Sequence, residues 1–348
     1  MVSGNSIIPY PVRSYFIFSN KKCRIYAACG VSQTPNEKQI KRGDREMKEN
    51  KLTLRQWFNK ESVAGSICTL PFAVGFLCFT LVPICMSLYY SLTDYNILSQ
   101  PKFIGLANYI EMFTTDKTYI KSLFVTIFYT FISVPMRLVF ALAVAVILVR
   151  NTRMTPIYRA VYYLPSIIGG SVAVSILWKR IFATDGVINA LLAAVGIDTQ
   201  FAWLGNTKTA IWTLILLAVW QFGSSMLIFL SALKQIPNSL YESARVDGAS
   251  RPYIFWKITL PMLTPTIFFN LIMQMISGFL AFSQCYIITQ GKPMNSTLFY
   301  TVYMYQQSFE FYRMGYGAAM AWVMLFIVGT VTVILFKTKK KWVFSEGE

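Results

Sequence analysis

Histidine is absent from the 348 residues. With it go the commonest metal ligand and the side chain that most readily carries a proton near neutral pH. Charge is scarce as well: Asp, Glu, Lys and Arg make up 14% of the chain, against roughly 25% in an ordinary soluble domain. Too little is left to solvate a water-facing surface. No Gly-x4-Gly-Lys-Ser/Thr loop is present to cradle a nucleotide phosphate, since Gly291-Lys292 leads into Pro293. The cysteines show no metal-ligand spacing. Cys68, Cys78 and Cys85 lie in one apolar run and Cys285 in another, where a thiol acts as a small apolar side chain. Cys23 and Cys29 fall in the N-terminal tail, and no disulfide is inferred.

What remains is apolar. Hydrophobic residues are 55% of the chain, and a bilayer is the medium that covers them. A helix crosses the hydrocarbon with about 20 apolar residues, and six runs qualify: 63–90, 122–149, 160–182, 210–233, 264–288 and 318–336. The third is interrupted by Pro165, Gly169 and Gly170. Such a break suits either a span lining a water-filled path or a plain proline kink in a packed helix.

The net charge of +17 does not point to nucleic acid. The positive residues sit in the N-terminal tail, in short connections and in the stub Lys337–Lys341, rather than over one polar face. Arg150, Arg153 and Arg159 join spans two and three; Lys234, Arg245, Arg251 and Lys257 join four and five; the stretch 183–207 holds Asp185 and Asp198 with no Lys or Arg. Six spans with both termini in the cytoplasm satisfy that asymmetry. Tyr109, Trp203 and Phe311 in the external loops suit interfacial anchoring or partner contact.

The first long apolar run begins beyond residue 60, so the N-terminus is not a secretory signal. Residues 1–46 differ in composition from the remainder of the chain, and Met47 is the expected biological start. Leu52, Leu54, Trp57 and Phe58 among Lys51, Arg55 and Lys60 fit a short surface helix or a solvated lead-in.

The connection between spans four and five is too long and too amphipathic for a plain linker. Pro237 sets a helix start that Asn238 or Ser239 can cap. Glu242 falls in the first turn, Gly248 permits a left-handed end, and Pro252 stops the helix. A second helix then leads to a return to the membrane at Leu260-Pro261. Glu242, Ala244, Gly248, Ile258, Leu260 and Pro261, with Ser243 in place of an alanine, resemble the Glu-Ala-Ala…Gly…Ile-x-Leu-Pro signature of permeases in binding-protein-dependent ABC importers.

Further phrases resemble the carbohydrate branch of that family, of the maltose or glycerol-phosphate first-permease type. They are 103–109 (Phe-Ile-Gly-Leu-Ala-Asn-Tyr), Tyr163-Leu164-Pro165, Trp178, 186–189, Phe282, Tyr286, Thr289, Gly291, Pro293 and Tyr316-Gly317-Ala318-Ala319; Lys292 stands where a Gly is usual. The resemblance implies an all-α fold, a polytopic helical bundle with six transmembrane helices and a cytoplasmic coupling helix. It divides the chain into a tail (1–62), a permease domain (63–337, coupling loop 236–262) and a C-terminal tail (338–348). It assigns Glu242, Ser243, Ala244, Asp247, Gly248, Leu260 and Pro261 to coupling; the alternative for Glu242 is stabilisation of its own helix.

Polar residues within spans are costly toward lipid and should face the interior. On that ground Ser166, Gly170, Trp220, Gln221, Ser224, Asn270, Gln274, Ser277 and Arg137 are candidates for a substrate path, and the resemblance implies Gly278 by its position. Ser225 and Gln284 share the property. Interhelical hydrogen bonding is the competing role for each. Arg137 lies mid-span with no acid at matching depth; backbone carbonyls, a partner subunit or an anionic sugar would answer it.

The resemblance implies no cofactor in this chain, with ATP and Mg bound by a partner ATPase. It implies two ATPase subunits, a different second permease, an extracellular binding protein and lipid as partners, in the bacterial cytoplasmic membrane. An ion-coupled secondary transporter is the alternative. The spans lack the buried acids and His that such coupling uses.

Overall fold

The computed structural model describes residues 61–149, 153–197 and 200–344. Met47, the residues before it and the basic lead-in around Trp57 lie outside these, as do Arg150 and Asp198. The chain separates into two units, Met1–Ala73 and Val74–Glu348.

In chain order the helices are α1 (Glu61–Phe76), α2 (Val82–Ser91), α3 (Ala107–Thr114), α4 (Lys117–Leu148), α5 (Thr155–Ile168), α6 (Val172–Ile181) and α7 (Val187–Ala194). They continue with α8 (Ala210–Trp220), α9 (Gly223–Gln235), α10 (Asn238–Val246), α11 (Arg251–Ile254), α12 (Leu260–Phe279), α13 (Ser283–Ile288), α14 (Tyr300–Tyr305) and α15 (Met314–Trp342). Among the described residues stands one antiparallel pair, β1 (Thr93–Asp94) and β2 (Lys102–Phe103), with Thr93 opposite Phe103. The fold is all-α.

Among the described residues, four stretches are long and apolar enough to cross a membrane, at Cys68–Ser91, Lys117–Leu148, Arg251–Ile288 and Met314–Trp342. Two more form if each bent pair is one span, α5 with α6 at 98° and α8 with α9 at 40°. The first bend falls at Gly169-Gly170-Ser171, where Ser171 caps α6 by accepting the Val174 N–H. Pro165 stays inside α5. The second bend, at Gln221-Phe222, has no proline to announce it.

Observed helices outrun the expected spans. The second begins at Lys117, the sixth runs from Met314 to Trp342, and the expected separate helix after Gly248 is continuous with the fifth. Apolarity marks where lipid is, while backbone hydrogen bonding continues past it. A π-type turn at Phe255–Thr259 absorbs Pro261, which lacks the N–H a regular turn would use.

The bundle is organised around α4, which packs against α8, α9, α12 and α14. Its inward stripe is rich in small and polar residues: Thr126, Thr130, Ser133, Ala141 and Ala145 are buried beside Tyr129, Leu138 and Leu148, while Phe124, Phe131, Val139 and Ile147 face out. That inversion of the soluble pattern lets backbones approach closely and leaves the bulky apolar groups to lipid. Gly223 shows the closeness, since a Cβ there would collide with the Tyr162 carbonyl and lie 2.8 Å from the Tyr163 Cα.

Candidate functional site

The three breaks, in spans three, four and five, converge on one chamber of about 240 Å³. From α4 it receives Tyr129, Ser133 and Arg137, which at intervals of four residues share one helix face. Gly170 and Gln221 come from the two bends, and Gln274, Ser277 and Gly278 from α12. Phe282, in the short non-helical step between α12 and α13, and Ser283 and Gln284, at the start of α13, complete its lining.

Arg137 is answered inside the chain. Its Nε and Nη2 donate to the backbone carbonyl of Gln221 at 3.1 and 2.5 Å, and Nη1 donates to Gln274 Oε1 at 2.7 Å. Gln221 caps the C-terminal end of α8, where carbonyls point outward with partial negative charge. The Ser166 hydroxyl donates to the same carbonyl (2.9 Å) and accepts the Ser224 N–H (3.0 Å). Gln274 Nε2 reaches Ser225 Oγ at 3.2 Å, and Gln284 Nε2 donates to the Gly169 carbonyl (2.9 Å) at the other bend. Each bend therefore has its carbonyl met by a side chain from another span. Unpaired, such a group costs several kcal/mol in hydrocarbon, of the order given for buried polar groups.

Six of the ten path candidates line this chamber: Arg137, Gly170, Gln221, Gln274, Ser277 and Gly278. Four do not. Ser166 is spent on holding the α5–α9 contact, to which Ser224 gives its backbone N–H, Trp220 packs on Trp178 with ring centroids 5.9 Å apart, and the buried Asn270 donates to the Thr266 carbonyl within α12. Tyr129, Ser133 and Ser283 line it without having been singled out. The first two were detectable as a polar four-residue rhythm leading to Arg137.

The coupling stretch is built locally. Pro237 occupies the N-cap of α10 in extended geometry, so Asn238 and Ser239 lie inside the helix and make no cap. At the other end Gly248 has φ of 78°; its N–H bonds the Arg245 carbonyl and that of Ala249 bonds Ala244. This is a Schellman ending, which needs a left-handed residue where Gly stands. Glu242, Ser243 and Asp247 are exposed and Val246 is 88% exposed, whereas Ala244 is buried. Tyr241 Oη lies 3.2 Å from Thr259 Oγ1, tying α10 to the base of span five beside Leu260 and Pro261.

At the opposite end of the bundle, Asp116 caps α4 through the Tyr119 N–H and accepts the hydroxyls of Tyr303 (2.6 Å) and Tyr316 (2.7 Å). Burial raises its pKa, but those hydrogen bonds outweigh burial and hold the carboxyl below its usual range. Burial and the Asp116 bond push Tyr303 up. Arg313 bonds Glu111 at 2.6 Å, which raises the guanidinium pKa, and lies 4.5 Å from the Tyr316 ring centroid. Tyr109 and Trp203 turn inward, to Ser91 and Asn189, and Phe311 stays exposed.

Broken spans around a polar chamber, joined to an exposed helix-turn on one side, fit a subunit that passes a solute across a membrane. Residues 115–340 match the family of binding-protein-dependent transport system inner membrane components, and the chain belongs to it as a permease of an ABC importer. It is 56% identical over 291 residues to the probable ABC transporter permease protein YesP of Bacillus subtilis, covering 83% of this chain and 94% of that one. It is 32% identical to the arabinooligosaccharides transport system permease protein AraP of the same species, over 81% of this chain and 90% of the relative. A solved bacterial ABC transporter that imports the acidic polysaccharide alginate shares the fold, with TM-score 0.70 and 20% identity over 86% of this chain and 99% of that chain. These matches lend no support to the ion-coupled alternative.

Proposed function

We propose that this chain forms one half of the path of an ATP-driven importer for a sugar or oligosaccharide in the bacterial cytoplasmic membrane, both termini inside. The observation that carries the reading is the chamber, where polar side chains gather at helix breaks in a permease whose relatives include an arabinooligosaccharide transporter. A sugar needs donors and acceptors at fixed positions, and Ser277, Gln274 and Tyr129 offer them. The Arg137 guanidinium adds positive potential, which admits a uronate or sugar phosphate as well as a neutral sugar.

Glu242, Ser243, Ala244, Asp247 and Gly248 form the coupling helix and its turn, docking on one of two separate ATPase subunits that bind ATP and Mg. Leu260 and Pro261 begin the helix that ends at the chamber. Displacement at one end of this lever therefore reaches Gln274, Ser277 and Gly278 at the other. A second, different permease supplies the remaining wall, and an extracellular binding protein delivers the sugar.

Expression with the genomic neighbours, followed by mass spectrometry of the proteins that co-purify with this chain, tests the assembly. An ABC ATPase and a second permease are expected, and Gly248→Pro is expected to lose the ATPase. Purification of this chain alone, with uptake continuing after ATP depletion, would overturn the reading.

A further inference from the structure

The chamber is small. Its 240 Å³ falls below the about 300–1,000 Å³ of ordinary small-molecule sites, so an oligosaccharide must extend beyond it. Next to it, at the far end of span five from the coupling loop, lies a groove of about 730 Å³. Phe282 is a wall of both spaces.

From Phe282 a chain of rings leads outward. Phe282 stacks on Tyr286 at 5.3 Å and 15° between planes; Tyr305 stands 5.3 Å from the first and 5.2 Å from the second; Phe309 lies 5.1 Å beyond Tyr305. The pairs 282/286 and 305/309 are each four residues apart, so two helical turns present their aromatic faces to each other. Within the chain Phe282, Tyr286 and Tyr305 are half-buried, and Phe309 is 54% exposed. A polar pair flanks the rings, with Tyr286 Oη donating to Glu310 Oε1 at 3.5 Å.

We infer that Phe282, Tyr286, Tyr305 and Phe309 form an outer saccharide subsite, on which the rings of an oligosaccharide stack while its leading end occupies the chamber. A pyranose has an apolar C–H face and a rim of hydroxyls. The aromatic faces match the first, and the Tyr286 hydroxyl with Glu310 matches the second. Phe282, at the non-helical step of span five, is the ring a sugar passes between subsite and chamber. The inference rests on the saccharide reading above.

The test uses the complete importer in vesicles with its binding protein. Uptake is measured by mass spectrometry for maltose, arabinose and alginate oligomers of two and five units. For a series that the wild type imports, Tyr305→Ala and Phe309→Ala are expected to lower the ratio of five-unit to two-unit uptake about fivefold, the scale of one lost aromatic contact. Tyr305→Phe, which keeps the ring, is expected to preserve the ratio. An unchanged ratio in both alanine variants, or an equal loss at both lengths, would overturn the subsite and leave the saccharide reading standing. Import of no oligomer by the wild type would overturn both.

Discussion

The coupling turn and the polar chamber lie at two ends of one helical stretch, yet opposite means hold them. The turn is made by neighbours: Gly248 and Ala249 bond residues three and five positions back, and its outer face is bare. The chamber is made by strangers, with Arg137 bonded across 84 residues to Gln221 and across 137 to Gln274. A locally built element keeps its shape while it moves as a body. A chamber assembled from several spans changes shape whenever one of them moves. A transporter needs both, a stiff handle and a deformable room.

Removing the chamber's keystone is expected to separate the two regions most sharply. Arg137→Met leaves the Gln221 carbonyl and the Gln274 amide without their shared donor. A loss of about 3 kcal/mol, read as a fall in the unfolding midpoint of the purified protein, is the expected scale for a broken buried charged network. Arg137→Lys keeps the charge but not the fork and is expected to recover part of it; equal loss in both variants would place the importance in the fork alone. Gly223→Ala drives a methyl into the Tyr162 backbone and is expected to cost about 2 kcal/mol by the same measurement.

The Asp116 cluster extends the comparison to the far end. Its carboxyl titrates below the ordinary value, so the folded state favours the charged form. Its contribution is therefore full above about pH 4 and is lost as pH falls through the depressed value. Asp116→Asn is expected to lower the midpoint at pH 7 by the equivalent of about 1–2 kcal/mol and to flatten the acid limb of the stability curve.

Gly248→Ala forces a side chain into a left-handed turn and is expected to cost only about 1 kcal/mol of stability. The same variant is expected to weaken recovery of the ATPase far more than that loss accounts for; Gly248→Asn, which tolerates the conformation, should restore it. Smallest of all is the exposed Arg180–Asp185 pair at 3.5 Å, where Asp185→Asn is expected to move the midpoint by less than about 0.5 kcal/mol.

The same contrast decides what could be read from residues alone. The coupling turn was legible, including the glycine at its end, because its determinants lie within a dozen positions. The misses were the cap, where Pro237 itself stands rather than Asn238 or Ser239, the place of Glu242, which lies beyond the first turn, and the second helix, which runs on into span five. Spans were legible as apolar runs, but their ends were not, since helices continue beyond the lipid. The bend at Gly169-Gly170 carried its own signal, whereas that at Gln221 arises from the Arg137 and Ser166 donors, which no local pattern encodes. Asp116 with Tyr303 and Tyr316 joins residues 187 and 200 positions apart, and a single chain offers no sign of that.

The first span has one more consequence, for how the protein is made. No residue of its most apolar window is buried within the chain, whereas α8 is buried along most of its length. The C-terminal part of that first span, α2, packs on α15, the last helix to be made, so it stands in lipid until then. Span four, bent and carrying Gln221 mid-way, enters lipid at a penalty until α4 is there to answer that carbonyl. Synthesis delivers α4 first, so the Gln221 carbonyl meets its donor on entry, while Arg137 waits in span two until Gln221 and Gln274 arrive.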